Sequence, residues 1–424
     1  MKKRLLSLFS GCGGMDLGFE GNFRVHLDTL NTGLYPHWLQ EKQGDWGILA
    51  PTAFNLVFAN DILRSARSAW VTYFGERGYA PELFHLASIV DLVKQRRANE
   101  FNFPPEIDIV TGGFPCQDFS VAGKRKGFNS HKSHQGKLLE DHEDSNLENR
   151  GALYRWMREV IAVTNPKVFI AENVDGLTSL KGVMAVIQED FSNLGEHGFL
   201  VIAQVLYAPD FGIPQSRKRV FFIGLNKAFL HPAVLKSLEE NPLAPDYTPL
   251  PQPTHHNPQT ASLWTQDLTI NPELLRPYAT VSRILAGLAE PEEEQVDPAQ
   301  RAYSKARYFP KTQGQVEVKP QGLAPTIRSE HHGNIEFRRL SRELGGQWLA
   351  ELEAGKLQRR LTVRECARLQ TFPDDYSFVR PKKDYPDLFL GASDAYKLIG
   401  NAVPPLLAYH LAKRLEVVWE SLFD

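Results

Sequence analysis

Short apolar runs alternate with longer stretches of helical periodicity through the first half of this chain. Residues 4–9 read as a strand, Ser10-Gly11-Cys12-Gly13-Gly14 as a loop, and Met15 to Glu20 as the start of a helix. A second strand fits Asn55 to Ala59 and ends at Asn60-Asp61. Further strands fit 107–111, 167–171, 200–206 and 219–225, while Leu153 to Val163 and Gly182 to Leu194 carry helical patterns. Strands that alternate with helices predict a mostly parallel sheet covered on both faces. Past about residue 227 the character changes, with prolines at 242, 245, 249, 251, 253 and 258. Regular patterning returns near 360, where Thr362 and Glu365 have the spacing of a capping box. The final helix opens at Pro404-Pro405 and carries Leu407, Leu411, Leu415 and Val418 at helical spacing. The patterning therefore predicts an α/β fold with a discontinuous larger domain, 1–226 plus 356–424, and a smaller domain over 227–355. A length of 424 residues, beyond what one core usually supports, agrees with that division.

Composition narrows the class without naming a function. The formal net charge of −2 gives no global positive field, so any polyanion must meet local clusters. Lys124-Arg125-Lys126, Arg217-Lys218-Arg219, Arg338-Arg339 and Arg359-Arg360 are such clusters, although each alone is more often a solvated face. The acidic run Pro291-Glu292-Glu293-Glu294 reads as a solvated loop. The three cysteines, Cys12, Cys116 and Cys366, lie far apart and suit a reducing cytoplasm better than a disulfide framework or a zinc site. The start, Met1-Lys2-Lys3-Arg4 and a short apolar run, imitates a signal peptide but is followed at once by glycines. No apolar stretch is long enough to span a bilayer.

The densest chemistry lies at Gly112-Gly113-Phe114-Pro115-Cys116-Gln117. The apolar run Ile107-Asp108-Ile109-Val110 leads into it, so a buried strand stops at a tight turn and presents a thiol at the sheet's carboxyl edge. Ligands of open α/β sheets sit in that crevice. A cysteine there is either a nucleophile held as thiolate or a buried structural residue, and the glycine-proline turn favours the first. The first glycine loop fits G-x-G, but Asp16 stands where a dinucleotide site needs a small residue. Free N–H groups of such a loop suit a carboxylate, and Asp61 is placed for ribose hydroxyls. A nucleoside with a carboxylate tail and no pyrophosphate describes S-adenosylmethionine. Glu172 follows the strand Lys167 to Ile170, as a catalytic acid or as a helix N-terminal one. Gln215, Arg217 and Arg219 alternate along a strand and should share one face and need a partner there.

These segments together resemble the DNA (cytosine-5) methyltransferases of bacterial restriction–modification systems. The resemblance runs from Leu8-Phe9-Ser10-Gly11-Cys12-Gly13-Gly14 through Gly113-Phe114-Pro115-Cys116-Gln117, Arg150-Gly151-Ala152-Leu153 and Glu172-Asn173-Val174. It continues through Gln215-x-Arg217-x-Arg219, the stretch Arg360 to Pro373, and Gly400-Asn401-Ala402-Val403-Pro404-Pro405, leaving out roughly 227–355. It implies a Rossmann-like S-adenosylmethionine-dependent methyltransferase domain with an inserted target-recognition domain. Cys116 would be the nucleophile, Glu172 would contact N3 and the exocyclic amine of cytosine, and Arg217 would support the target base with Gln215 and Arg219 bracing it. The methyl donor's site would comprise Phe9, Ser10, Gly11, Cys12, Gly13, Gly14, Asp61, Ile62, Ser88, Ile89, Pro115, Leu153, Asn401 and Val403. Double-stranded DNA would meet Gln117, Ser120, Lys124, Arg125, Lys126, Arg328, His331 and Asn334, with His332 a further candidate. The target base would be flipped out of the duplex. A monomer in the bacterial cytoplasm, at the nucleoid and paired with a cognate restriction endonuclease, is the expected setting.

The chain departs from the family pattern in places. Ile62 stands where an aromatic often follows the ribose acid, and Ser88 stands near where an acid often binds the adenine amine. About thirty extra residues precede Asp61, and a polar insertion runs from about Asn129 to Asn149. Its His131, His134 and His142 fit no metal template, so no metal is expected. An RNA methyltransferase on the same scaffold and an inactive DNA-binding relative are the competing readings. The long variable region weighs against the first, and an intact Cys116, Glu172 and Arg217 against the second.

Overall fold

The computed structural model describes residues 2–114, 153–179, 182–257, 271–312, 314–329 and 334–423. Among these, seven strands form one sheet: β1 (Lys3–Leu8), β2 (Phe54–Asp61), β3 (Phe84–Leu86), β4 (Ile109–Gly113), β5 (Val168–Val174), β6 (Phe199–Tyr207) and β7 (Lys218–Asn226). Their spatial order is β3-β2-β1-β4-β5-β7-β6. The first five run parallel, and β7 alone is antiparallel to both its neighbours. The α/β reading thus holds, and the order reverses direction at β1, between β2 and β4. That is the switch point at which such sheets open a ligand crevice.

The continuous apolar runs follow from burial on both faces. Leu5, Ile109, Ile170, Phe221 and Ile223 join one hydrophobic cluster, while the alternate residues Leu6, Val110, Phe169, Val220 and Phe222 join the other. The first cluster takes in α1 (Gly14–Glu20), α2 (Arg64–Glu76) and the last helix. The second takes in α3 (Ile89–Arg97), α4 (Leu153–Thr164) and α5 (Val183–Ser192). Apolar residues of the variable region, including Val234 and Leu238 on α6 (Pro232–Glu240), Val281, Val318, Ile327 and Trp348, belong to the first cluster. That region therefore shares its apolar packing with α1 and the last helix.

After it come α7 (Val363–Leu369), α8 (Ala392–Asn401) and α9 (Pro405–Phe423). The capping box at Thr362 forms as the spacing predicts: its side chain accepts from the Glu365 N–H at 3.0 Å, and Glu365 accepts from the Thr362 N–H at 2.9 Å. Helix α9 lies along α1 so closely that a Cβ on Gly18 would come within 2.4 Å of the Ala408 Cβ. Residues between α1 and β2 build a three-stranded antiparallel sheet from Arg24–His26, Leu39–Gln43 and Trp46–Leu49. Its adjoining Trp38 stacks on Tyr35 and meets Tyr409 and His410 of α9 edge-on.

Two of the basic clusters are not solvated. Arg339 and Arg359 are buried and pair with Glu290, and Arg338 pairs with Glu351. The Arg360 guanidinium bonds to the carbonyls of Ala306, Arg307, Gly314 and Ile335. Burying a guanidinium is tolerable only with such partners, so these arginines knit the return of the chain toward α7. Glu292 and Glu293 are exposed, as the acidic run suggests.

Candidate active site

At the carboxyl edge of β1, β2, β4 and β5 the structure opens a cavity of about 440 Å³. Its first wall is the turn after β1. Phe9 leaves the strand at φ 52°, a left-handed conformation uncommon for a side chain of that size and often found at binding sites. Gly11 follows at φ 55° with nothing within 4 Å of where a Cβ would stand, so the loop leaves open space beside its backbone. Gly14 instead is needed for close approach, because a Cβ there would lie 2.3 Å from the Val403 carbonyl oxygen.

The second wall is acidic. Asp61 ends β2 and accepts hydrogen bonds from Gly11 N–H and Leu63 N–H, both at 2.9 Å, which ties the glycine loop to the neighbouring strand. Burial raises its pKa, and the N–H bonds oppose that rise. Asp16, the residue that breaks the dinucleotide pattern, is a structural anchor. It accepts from Ser7 Oγ at 2.5 Å and Trp70 Nε1 at 2.8 Å, and burial pushes its pKa up to about 6.

Opposite the glycine loop, the end of β4 meets the end of β5, with Gly113 paired to Glu172. A Cβ on Gly113 would sit 2.8 Å from Glu172 Oε2, so only glycine lets that carboxylate lie beside the strand end. Asn173 Nδ2 donates to the Phe114 carbonyl at 3.2 Å and fixes the same junction. Glu172 lies within a strand rather than at a helix N-terminus, and pairs with Arg219 Nε at 2.8 Å. Burial raises the Glu172 pKa, partly offset by the charges of Arg219 and Arg217. Burial lowers the Arg219 pKa, and the neighbouring Glu172 carboxylate opposes that fall.

Of the residues expected at the donor site, Phe9, Ser10, Gly11, Gly14, Asp61, Ile62, Ser88, Ile89, Leu153, Asn401 and Val403 line this one cavity. Cys12 and Gly13 do not. The Cys12 thiol is buried toward the Leu398 carbonyl at 3.6 Å, and Gly13 packs on Trp70 and Phe74 at the start of α1. Glu172 and Arg219 line the cavity, whereas Gln215 and Arg217 are fully buried outside its lining. The expected common face for the three fails because β7 begins only at Lys218, which leaves Arg217 outside the alternation. Arg217 donates to the carbonyls of Ile327, Gly400 and Ala402, and Gln215 bonds to Ile327, Leu369 and Gln370.

Arg328 pairs with Glu336 at 2.9 Å, and Asn334 Oδ1 lies 3.5 Å from Gln315 Nε2. Pro115, Cys116, Gln117, Ser120, Lys124, Arg125, Lys126, His331, His332 and the insertion with its histidines lie outside the described residues. Among the described residues no group of three or more His, Cys, Asp or Glu could hold a metal. The lining also contains Asn60, Asn173, Ser329 and Lys397, which the motifs did not single out as ligands. Asn60 and Asn173 adjoin named acids and were within reach of the sequence. Ser329 and Lys397 carried no local signal.

The site fits S-adenosylmethionine in two respects: open space beside the Gly11 backbone, and an acid at the end of β2.

Comparison with known proteins agrees with the geometry. The family model for C-5 cytosine-specific DNA methylases matches residues 3–417. The chain is 29% identical to the type II methyltransferase M.BspRI of Lysinibacillus sphaericus, covering 98% of this chain and 81% of that one. It is 28% identical to M.FnuDI of Fusobacterium nucleatum, covering 99% and 95%. Among solved structures, the Dnmt2 methyltransferase of S. pombe superposes with a TM-score of 0.54 at 17% identity, covering 99% of each chain, which supports the fold.

Proposed function

The chain belongs to the C-5 cytosine-specific DNA methylase family, and from that premise we propose that it methylates carbon 5 of a flipped-out cytosine at a specific duplex sequence through a covalent Cys116–C6 adduct. Membership makes it a DNA cytosine-5 methyltransferase, and its type II relatives support a role as the modification half of a restriction–modification system. One observation supports the site most strongly. The Glu172–Arg219 pair and the strand end that leads to Cys116 open on the same cavity as the glycine loop and Asp61.

S-adenosylmethionine, when bound, supplies an electrophilic methyl group. By the family resemblance Asp61 would hold the ribose hydroxyls, Phe9, Gly11, Gly13 and Gly14 the methionine end, and Ile62, Leu153, Asn401 and Val403 the rest of the pocket. The Cys116 thiolate adds to C6 of cytosine, and the displaced electron pair makes C5 nucleophilic. Glu172 holds the exocyclic amine and, in its protonated form, gives its proton to N3 as the thiolate adds. Arg219 holds that carboxylate in place and presents its guanidinium to the cavity. C5 then takes the methyl group. Loss of the C5 proton to a base re-forms the C5–C6 double bond and expels Cys116 as thiolate, while N3 returns its proton to Glu172. The other thiols are poor alternatives, since burial raises the pKa of both Cys12 and Cys366. The variable region 227–355 is proposed to read the duplex, where base-edge contacts carry specificity.

The test is methyl transfer itself. DNA from cells that express the chain should contain 5-methylcytosine at one sequence by bisulfite sequencing, and purified protein should reproduce it with S-adenosylmethionine. Methylation of tRNA and never of duplex DNA would overturn the DNA assignment.

A further inference from the structure

Arg217 makes no hydrogen bond to a carboxylate among the described residues, yet its side chain is buried completely. Its Nη1 donates to the Ile327 carbonyl at 2.9 Å. Its Nη2 donates to Gly400 O at 3.0 Å and Ala402 O at 2.8 Å. Burial pushes its pKa far down, with the neighbouring Arg219 charge adding to that. Gln215 completes the arrangement. Its Oε1 accepts from the Ile327 N–H at 2.8 Å, and its Nε2 donates to Gln370 Oε1 at 3.0 Å. Gln370 in turn donates to the Ile399 carbonyl at 2.7 Å. Both peptide groups flanking Ile327 are thus fixed to the 399–402 turn.

The consequence is felt two residues on. Ser329 of the variable region lines the donor cavity together with Asn401, Ala402 and Val403. It is pressed against the same turn, because a Cβ on Gly400 would fall 2.1 Å from the Arg328 carbonyl carbon and 2.3 Å from the Ser329 nitrogen. A buried guanidinium held only by carbonyls costs stability that apolar packing would not. Its geometry, three carbonyls from two distant segments, is what a side chain without a fork of donors could not hold together.

We propose that Arg217 is a positioning residue which fixes the 327–329 segment of the variable region as a wall of the methyl-donor pocket, so that donor affinity and target discrimination depend on one clamp. This rests on the reading of 227–355 as the target-reading region. Arg217 acts through Ser329 and the 400–402 turn and touches neither the donor nor the base.

The experiment compares Arg217→Lys, Gly400→Ala and Arg380→Lys with the wild-type chain. Arg380 is the control, a buried arginine that likewise bonds to carbonyls, those of Ser68, Ser377 and Leu388, and does not line the cavity. Calorimetry gives the dissociation constant for S-adenosylmethionine. Methylation rates on the duplex site found by bisulfite sequencing, and on a copy with one altered base pair, give discrimination. All measurements are made below the onset of unfolding. Arg217→Lys should weaken donor binding at least about tenfold, the scale of a lost charge-assisted hydrogen bond, and should lower discrimination with it. Gly400→Ala, which shifts the wall without touching the guanidinium, should do the same, and it decides the matter if Arg217→Lys does not fold. Arg380→Lys should lower thermal stability and leave both quantities unchanged. Unaltered donor affinity and discrimination in folded Arg217→Lys and Gly400→Ala would overturn the proposal, as would equal losses in Arg380→Lys. A wild-type chain that binds no S-adenosylmethionine would overturn the methyl-transfer reading and the clamp with it.

Discussion

Glu172 sits beside two arginines of different use. Arg219 pairs with its carboxylate, whereas Arg217 is spent on backbone carbonyls. Glu172→Gln should therefore lower the methyl-transfer rate constant by about 10²–10⁴-fold, with donor affinity changed only a few-fold, as single-turnover and binding measurements would show. Arg219→Met removes the positive charge that holds the Glu172 pKa down against burial. The carboxyl should then stay protonated to higher pH, and the limb of the pH–rate profile that Glu172 controls should move alkaline. A limb that stays in place or moves acid would show that Glu172 does not govern it. The identity of Glu172 was legible from the sequence because its motif is local. The division of labour between Arg217 and Arg219 was not, since Arg217 lies between two separate strand segments, Gln215–Ser216 and Lys218–Asn226, and alternation does not carry across the break.

At the scale of elements, the sheet was legible because most of its strands carry apolar runs whose alternate residues are buried in the clusters on its two faces. Strand β3 escaped notice, having three residues at the sheet edge. The sheet in the 24–49 region escaped as well, because its outer strand Leu39–Gln43 is mostly exposed and polar. The capping box was legible from spacing alone, but not its partner: Thr362 Oγ1 donates to the buried Gln300 Oε1 at 2.7 Å. Thr362→Ala should cost about 0.5–2 kcal/mol for the cap. A further loss of about 1–3 kcal/mol should follow from the unsatisfied glutamine oxygen. Chemical denaturation would read both, and Thr362→Ser should recover most of the loss. A Thr362→Ala loss within the cap range alone would show that Gln300 finds another partner.

Over the whole molecule, the last helix closes the fold around α1 and carries a buried histidine. His410 packs edge-on against Trp38 and Phe211 and, among the described residues, hydrogen-bonds to the Phe211 backbone. The charge it feels comes from His255. Burial lowers the pKa of each of the two to about 3, from an ordinary 6.5. A group whose folded pKa is depressed contributes stability above its unfolded value and loses it as pH falls. For His410 that window runs from about 6.5 down to about 3. His410→Phe should therefore reduce the fall in unfolding free energy between about pH 7 and pH 5 by about 2 kcal/mol. Asp16 and Asp210, each raised to about 6, act with the opposite sign in both proteins and drop out of the difference. An unchanged pH slope would show that His410 does not stay neutral in the folded chain.

Thiolate addition at Cys116 is tested most directly by a duplex that carries its own methylation site with 5-fluorocytosine at the target. Fluorine cannot leave C5 as a cation, so after methyl transfer the enzyme cannot expel its thiolate and stays bonded to the DNA. Denaturing electrophoresis and peptide mass analysis should find one adduct, on Cys116, that forms only with S-adenosylmethionine. It should vanish in Cys116→Ala and persist in Cys12→Ala and Cys366→Ala. An adduct on another residue, or methylation of ordinary cytosine by Cys116→Ala, would contradict the account.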